Sequence, residues 1–139
     1  MLIYEKPGCV RVEYKPVGGY ILLDWTSFMI QMAEIQELHQ KTLAAAKQYH
    51  CYYYLAETSR VRTVFLKEII RWWGDVWVPK LAEAGLKAIV TVVPESALAL
   101  LSTRSWQAEV TQGITMKNVK TLAEAIAAIR ELQQARRPD

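Results

Sequence analysis

The segment "LKAIVTVV" (residues 86–93) constrains the fold more than any other stretch of this chain. It is an almost unbroken run of aliphatic and β-branched residues between Gly85 and Pro94, without the alternation of a strand that has one wet face. Such a run reads as a strand covered on both sides, the pattern of a parallel sheet with helices packed against it. The flanks agree. A helical pattern over residues 64–84 leads in and stops at Gly85 in the C′ position, and "ESALALLS" (95–102) reads as a short helix beyond Pro94.

The same switching of period organises the rest. Residues 2–4, 10–14 and 20–25 are short β-rich runs, punctuated by the turn signals "KPG" and "KPVGG". Arg11, Glu13 and Lys15 alternate with Val10, Val12 and Tyr14, as in a strand with one face in water. Over residues 28–49 the steps become three and four. Phe28, Met32, Ile35, His39, Thr42, Leu43, Ala46 and Tyr49 then share a face, away from Glu34, Glu37, Lys41 and Lys47. "CYYYLAE" (51–57) is an aromatic strand, "TSRVRT" (58–63) a polar connection and "GITMKN" (113–118) a last strand. Thr121 and Glu124 form a capping box that opens a final helix running to about Arg136. The order βββαβαβαβα predicts one α/β domain over residues 1–139: a mixed, mostly parallel sheet of five or six strands with about four helices.

Bulk properties exclude several function classes. The longest apolar runs fall far short of the roughly 20 residues that span a bilayer. A net charge of +3, with cations interspersed among acids outside the final "RELQQARRPD", leaves no nucleic-acid footprint. "MLIYEKPGCV" has no basic region followed by an apolar run, so no secretory signal is expected. Cys9 and Cys51 have neither metal-type spacing nor a disulfide framework; small buried hydrophobes in a reduced cytoplasm are the expectation.

Chemistry is sparse. His39 falls at the centre of the first helical face, where a core histidine is expected. His50 would lie about 16 Å further along if the helix persisted, too far to share a metal. There is no H-E-x-x-H, C-x-x-C, G-x-S-x-G or G-x-x-x-x-G-K pattern, so no enzyme, cofactor or metal is expected. Glu57, Thr58 and Ser59 at a strand's carboxyl end are the nearest thing to a site, because open α/β sheets place ligands there. Arg130, Arg136 and Arg137 read as cations favourably placed at a helix C-terminus.

"RWWGDVWVP" (71–79) holds three of the five tryptophans. On a 100° wheel Leu66, Ile69, Trp73 and Trp77 lie within about 80° of one another, opposite Lys67, Glu68, Arg71 and Asp75. Trp73 and Trp77 therefore belong to the core. Trp72, beside Phe65 and Val76, sits at the stripe's edge and is the ring expected to line a cleft. Pro79 removes a backbone donor and crowds the carbonyl of Asp75, so a kink or break is expected near residues 75–77.

Trp77, Pro79, Ala84-Gly85 and Val92–Glu95 carry a resemblance. In this order they resemble the bacterial SpoIIAA-like (STAS-like) proteins, with "YYYLAETSR" before them and "VKTLAEAIAAI" after, so the likeness covers nearly the whole chain. It implies a small α/β sandwich with helices mostly on one face of a mixed sheet. It also implies one of two roles. Anti-anti-sigma factors bind a partner kinase and are switched by phosphorylation of a serine at a helix start, while other relatives are thought to hold apolar ligands between helices and sheet. The chain departs from the switch pattern, carrying Glu57-Thr58-Ser59-Arg60 where Asp-Ser-x-Gly is usual. A phosphate or other anion at Thr58 or Ser59 would meet the next helix N-terminus and Arg60 or Arg62. Both hydroxyls are equally well explained as turn residues, with Thr63 as a helix cap.

The leading expectation is a non-catalytic regulatory module acting through contacts with another protein or as a homodimer, with Glu57 and Trp72 on its partner surface. The alternative is an apolar-ligand or lipid carrier. Its cavity would lie between the first two helices and the sheet, lined by Met29, Met32 and residues 52–54 and opening beside Trp72.

Overall fold

The computed structural model describes residues 1–110 and 113–135. Six strands, β1 (Leu2–Lys6), β2 (Val10–Lys15), β3 (Tyr20–Trp25), β4 (Tyr53–Glu57), β5 (Ala88–Val92) and β6 (Thr115–Val119), form one sheet in sequential order. The first two pairings are antiparallel hairpins, and β3–β4, β4–β5 and β5–β6 are parallel. The helices are α1 (Met32–Gln48), α2 (Lys67–Trp72), α3 (Val78–Glu83), α4 (Ala97–Ala108) and α5 (Leu122–Ala135). A π-helical turn, Trp73–Trp77, joins α2 to α3, so residues 67–83 are one helical stretch and the expected βββαβαβαβα order holds.

Topology decides which face each helix covers. Every crossover from β3 onward steps the same way along the sheet, and right-handed crossovers then put α1, the α2–α3 stretch and α4 on one face. The buried residues follow suit. Ile21, Leu23, Tyr54 and Ile89 pack with Ile35, Leu38, Ile69, Trp73, Leu81 and Trp106. The alternate residues Tyr20, Tyr53, Leu55, Ala88, Val90 and Val92 pack with Ala125, Ala128 and Ile129 of α5 on the other face. β5 is buried at all five positions, as its unbroken apolar run requires. On β2, Arg11 and Glu13 point to water and pair with each other and with Glu5 and Lys15.

Local signals mark several boundaries. Gly85 takes φ +90° and ends α3, while Thr121 Oγ1 accepts from Glu124 N at 3.1 Å and starts α5. α1 is shorter than its periodicity. It begins at Met32, with Glu34 Oε1 accepting from Gln31 N at 3.1 Å. It ends at Gln48, with His50 at φ 51° and Cys51 N bonded back to Ala46 O at 2.9 Å. His50 is thus a left-handed C′ residue off the helix, not a further position along its face. Phe28 lies in the preceding loop, yet is buried. α4 runs well past Ser102, to Ala108. Leu66 is the exposed N-cap of α2 rather than part of its apolar stripe, because the helix starts only at Lys67.

The distortion expected from Pro79 takes a definite form. Val78 N reaches back five residues to Trp73 O, so the helix widens by one residue instead of breaking, and Pro79 falls in the first turn of α3. Arg136 and Arg137 lie outside the described residues. No described helix is long and apolar enough to cross a membrane.

Candidate functional site

The parallel pair β3–β4 sets Leu23 beside Ala56, with Tyr54 two residues earlier on the same face. α1 brings Ile35 and His39, four residues apart, down onto that face. The loop before α1 folds over the carboxyl end of the sheet. Thr63 Oγ1 holds it there, accepting from Phe28 N at 2.7 Å and sharing a hydrogen bond with Ser27 Oγ at 3.2 Å. Thr63 is therefore a loop clasp and not the expected helix cap. The α2–π stretch supplies Ile69, Trp72 and Trp73, and α4 supplies Trp106. Between them remains a cavity of about 60 Å³.

Its walls are mostly aromatic. Phe28 stacks on Phe65 at 4.1 Å between ring centroids, and Trp25 meets both edge-on at 5.5 and 5.3 Å. Across the cavity His39 sits 5.8 Å from Trp72 and 5.1 Å from Trp73, and Trp73 meets Trp106 edge-on at 5.8 Å. Phe65, Ile70 and Trp72 are half-buried while the other lining residues are buried, so the cavity approaches the surface along α2. Trp73 and Trp77 are core residues, as their wheel positions require. Trp72 lines the cavity with one side exposed and its ring stacked on Trp77 at 5.5 Å.

Few polar atoms reach this space. The Thr58 hydroxyl is buried and donates to Val92 O at 2.6 Å. Trp73 Nε1 donates to Trp106 O at 3.2 Å. Of the lining residues, His39 Nδ1 and Trp106 Nε1 are sealed in the packing without a partner among the described residues, as are Trp77 Nε1, Thr91 Oγ1 and Thr103 Oγ1 away from the cavity. Burial holds the imidazole of His39 far down, to about 3, so it is neutral at physiological pH. It also holds the Tyr54 phenol above its ordinary range, chiefly by desolvation. No Lys, Arg, Asp or Glu among the described residues lines the cavity.

The other expected site residues lie elsewhere. Ser59, Arg60 and Arg62 border an open polar groove of about 470 Å³ with Glu95 and Ser96. Thr58 is 1% exposed with its hydroxyl committed, which corrects its reading as a phosphoacceptor. The helix start beside Ser59 is that of α4, capped by Ser96, rather than that of α2, which begins only at Lys67. Arg60 pairs with Asp24 at 3.2 Å, and Glu57 Oε1 accepts from Ser59 N at 2.8 Å as a turn brace. Of the expected cavity liners only Tyr54 is one. Met29 is 59% exposed in the clasped loop, Met32 is half-buried against the core outside the cavity, and Tyr52 and Tyr53 pack on the opposite face of the sheet.

Sequence reasoning did not assign Trp25, Phe65, Trp106 or His39 to a shared site. The signal for Trp106 was a helix continuing past Ser102, and for His39 a polar residue at the centre of an apolar face. No group of described His, Cys, Asp and Glu residues could hold a metal ion. Comparison with family models, curated proteins and solved structures gives no match.

Proposed function

We propose that this chain is a non-catalytic binding protein that holds a small apolar ligand in the aromatic cavity beside Trp72. One observation carries the reading. A cavity walled by tryptophan and phenylalanine, with no charged residue among its described liners, lies beside half-buried Phe65, Ile70 and Trp72, the form of a small apolar-ligand pocket. The proposal includes a distant SpoIIAA-like relationship of the ligand-holding kind and a cytoplasmic location, with both cysteines free and buried. Size narrows the ligand. An apolar cavity of roughly 150 Å³ accommodates benzene; the space of about 60 Å³ is less than half of that, so a single ring enters only as half-buried Phe65, Ile70 and Trp72 move outward. A long acyl chain would require the helices to separate from the sheet.

Four of the five tryptophans line the cavity, so intrinsic fluorescence reports its occupancy. Titration with toluene should shift the tryptophan emission and raise the Tm, with a saturable dependence. No change up to the solubility of toluene, and no small molecule in native mass spectra of the gently isolated protein, would remove the reading.

A second reading, self-association as a homodimeric regulatory module, draws support from Leu98 and Leu101 of α4, which are 56% and 61% exposed. Val64 and Leu66 are also exposed, and Phe65 N between them bonds Ser102 Oγ of α4 at 3.0 Å. Sedimentation velocity decides it: a dimer that Leu101→Asp dissociates supports the module, and a monomer at high concentration sinks it.

A further inference from the structure

Three of the cavity's lining residues, Phe28, Thr58 and Phe65, come from neither helix nor strand. Two of them are fixed. Thr58 is tied to β5 through Val92 O, and Phe28 is 1% exposed in a loop held by Thr26 N and Ser27 N on Cys9 O, at 2.8 and 3.2 Å. Phe65 belongs to a short segment, residues 62–65, between the fully buried Val61 and the N-cap of α2. Among the described residues this segment makes no backbone–backbone hydrogen bond. Arg62 and Val64 are exposed, whereas Thr63 and Phe65 alternate with them and are half-buried. Each of these two carries a latch. Thr63 Oγ1 accepts from Phe28 N at 2.7 Å and meets Ser27 Oγ at 3.2 Å, while Phe65 N donates to Ser102 Oγ at 3.0 Å. The Phe65 ring lies almost parallel to Phe28, at 4.1 Å between centroids.

The other half-buried liners are less free to move. Ile70 and Trp72 lie in α2 between the buried Ile69 and Trp73, and Trp72 is stacked on Trp77 at 5.5 Å. Displacing either one disturbs helical hydrogen bonds or the core. Swinging out residues 62–65 breaks the Thr63 and Phe65 latches and one aromatic stack, and water replaces the lost hydrogen bonds.

We propose that residues 62–65 are a strap that closes the cavity, and that an apolar ring enters by lifting Phe65 off Phe28 as Thr63 and Ser102 let go. This rests on the proposed ligand-binding role and adds how that site is controlled. With the strap down the space is about 60 Å³, well below the roughly 150 Å³ of a cavity that accommodates benzene, so the ligand-bound form has the strap raised. The closed form then competes with the ligand. Apparent affinity is the intrinsic affinity scaled by the fraction of molecules whose strap is open, and weaker latches mean tighter binding.

The signature is a variant that loses a hydrogen bond beside the cavity and yet binds better. Thr63→Val keeps the side chain's shape and removes the hydroxyl. It should tighten toluene about tenfold in a tryptophan-fluorescence titration of the full chain, the effect of one hydrogen-bond partner lost from the closed form. Ser102→Ala should act in the same direction, and Thr63→Ser, which retains the hydroxyl, should match the unsubstituted chain. In the unsubstituted chain saturating toluene should speed amide exchange at Phe28 and Phe65, whose acceptors leave, a readout that needs no variant to fold. Toluene binding that is unchanged or weaker in Thr63→Val, or exchange that slows at both amides, means that the ring enters without the strap; the strap is then wrong and the cavity's role stands. If toluene binds neither chain, the ligand-binding role falls and the strap falls with it. Binding by Thr63→Val alone supports the strap, with intact latches holding the unsubstituted chain shut.

Discussion

Burial holds the His39 imidazole at a pKa of about 3, against an ordinary value of 6.5, so protonation and folding oppose each other. The unfolded chain takes up the proton as pH falls through 6.5, whereas the folded chain refuses it until about 3. Stability is therefore full above 6.5 and declines through that window, by up to about 5 kcal/mol at its lower end. Carboxylates held below their ordinary value, such as Glu13 beside Arg11 and Glu34 beside Lys6, lose their stabilising charge only at lower pH. The interval from pH 6.5 to 5 thus belongs mostly to His39. Urea unfolding at pH 7 and pH 5 should show a loss of roughly 2 kcal/mol, and His39→Leu should flatten it. An unchanged slope in the variant would mean that the ring is protonated, and hence solvated, in the folded protein. At this scale the sequence was legible where one periodicity governed a side chain. The burial of Trp73 and Trp77 and the edge position of Trp72 came from a helical wheel. Thr58 and Thr63 were not legible, because their hydroxyls bond partners more than thirty residues away, Val92 and Phe28.

Along the elements, the π turn is where local sequence and tertiary packing meet. Pro79 lacks an N–H and cannot sit deep in an α-helix, and the extra residue of the turn resets the register so that it begins α3. Trp73 and Trp77, at the two ends of the turn, both lie in the core while Trp72 stays at the mouth. The proline announced that something must give; the structure shows a widened turn rather than a break. Gly74 within the turn is close-packed against α4. A methyl group there would overlap the Glu109 side chain, including Cβ at 2.9 Å, a position that cannot swing away like a side-chain tip. Replacing an exposed helical glycine with alanine gains up to about 1 kcal/mol, whereas overpacking a tight contact costs about 1–3. Gly74→Ala should therefore destabilise by about 1 kcal/mol in urea unfolding and disturb the Trp73–Trp106 contact in near-ultraviolet circular dichroism. A stabilised variant would show that α4 yields freely at Glu109.

The whole molecule divides its labour between the two faces of one sheet. The order of strands and helices was readable because each period change is local, and right-handed crossovers then assign faces without further information. The cavity was not readable, because its walls come from β3, β4, α1, the α2–π stretch and α4, joined only by the fold. On the opposite face α5 is the one described helix that covers the sheet, with Ile129 1% exposed against the layer that holds Leu55 and Val90. Truncating a buried isoleucine to alanine costs about 2–5 kcal/mol. Ile129→Ala should accordingly lower the Tm by many degrees. Yet it removes nothing from the cavity face, since backbone hydrogen bonds keep β4 and β5 in register. Below its melting transition the variant should bind toluene as the unsubstituted chain does. Ile69→Ala, with a buried side chain on the cavity wall, makes the complementary change. It should cost comparable stability but enlarge the cavity, so that bicyclic rings such as naphthalene gain affinity relative to toluene. If Ile129→Ala weakens ligand binding as much as Ile69→Ala alters it, the two cores respond as one, and the sheet transmits strain between its faces rather than insulating them.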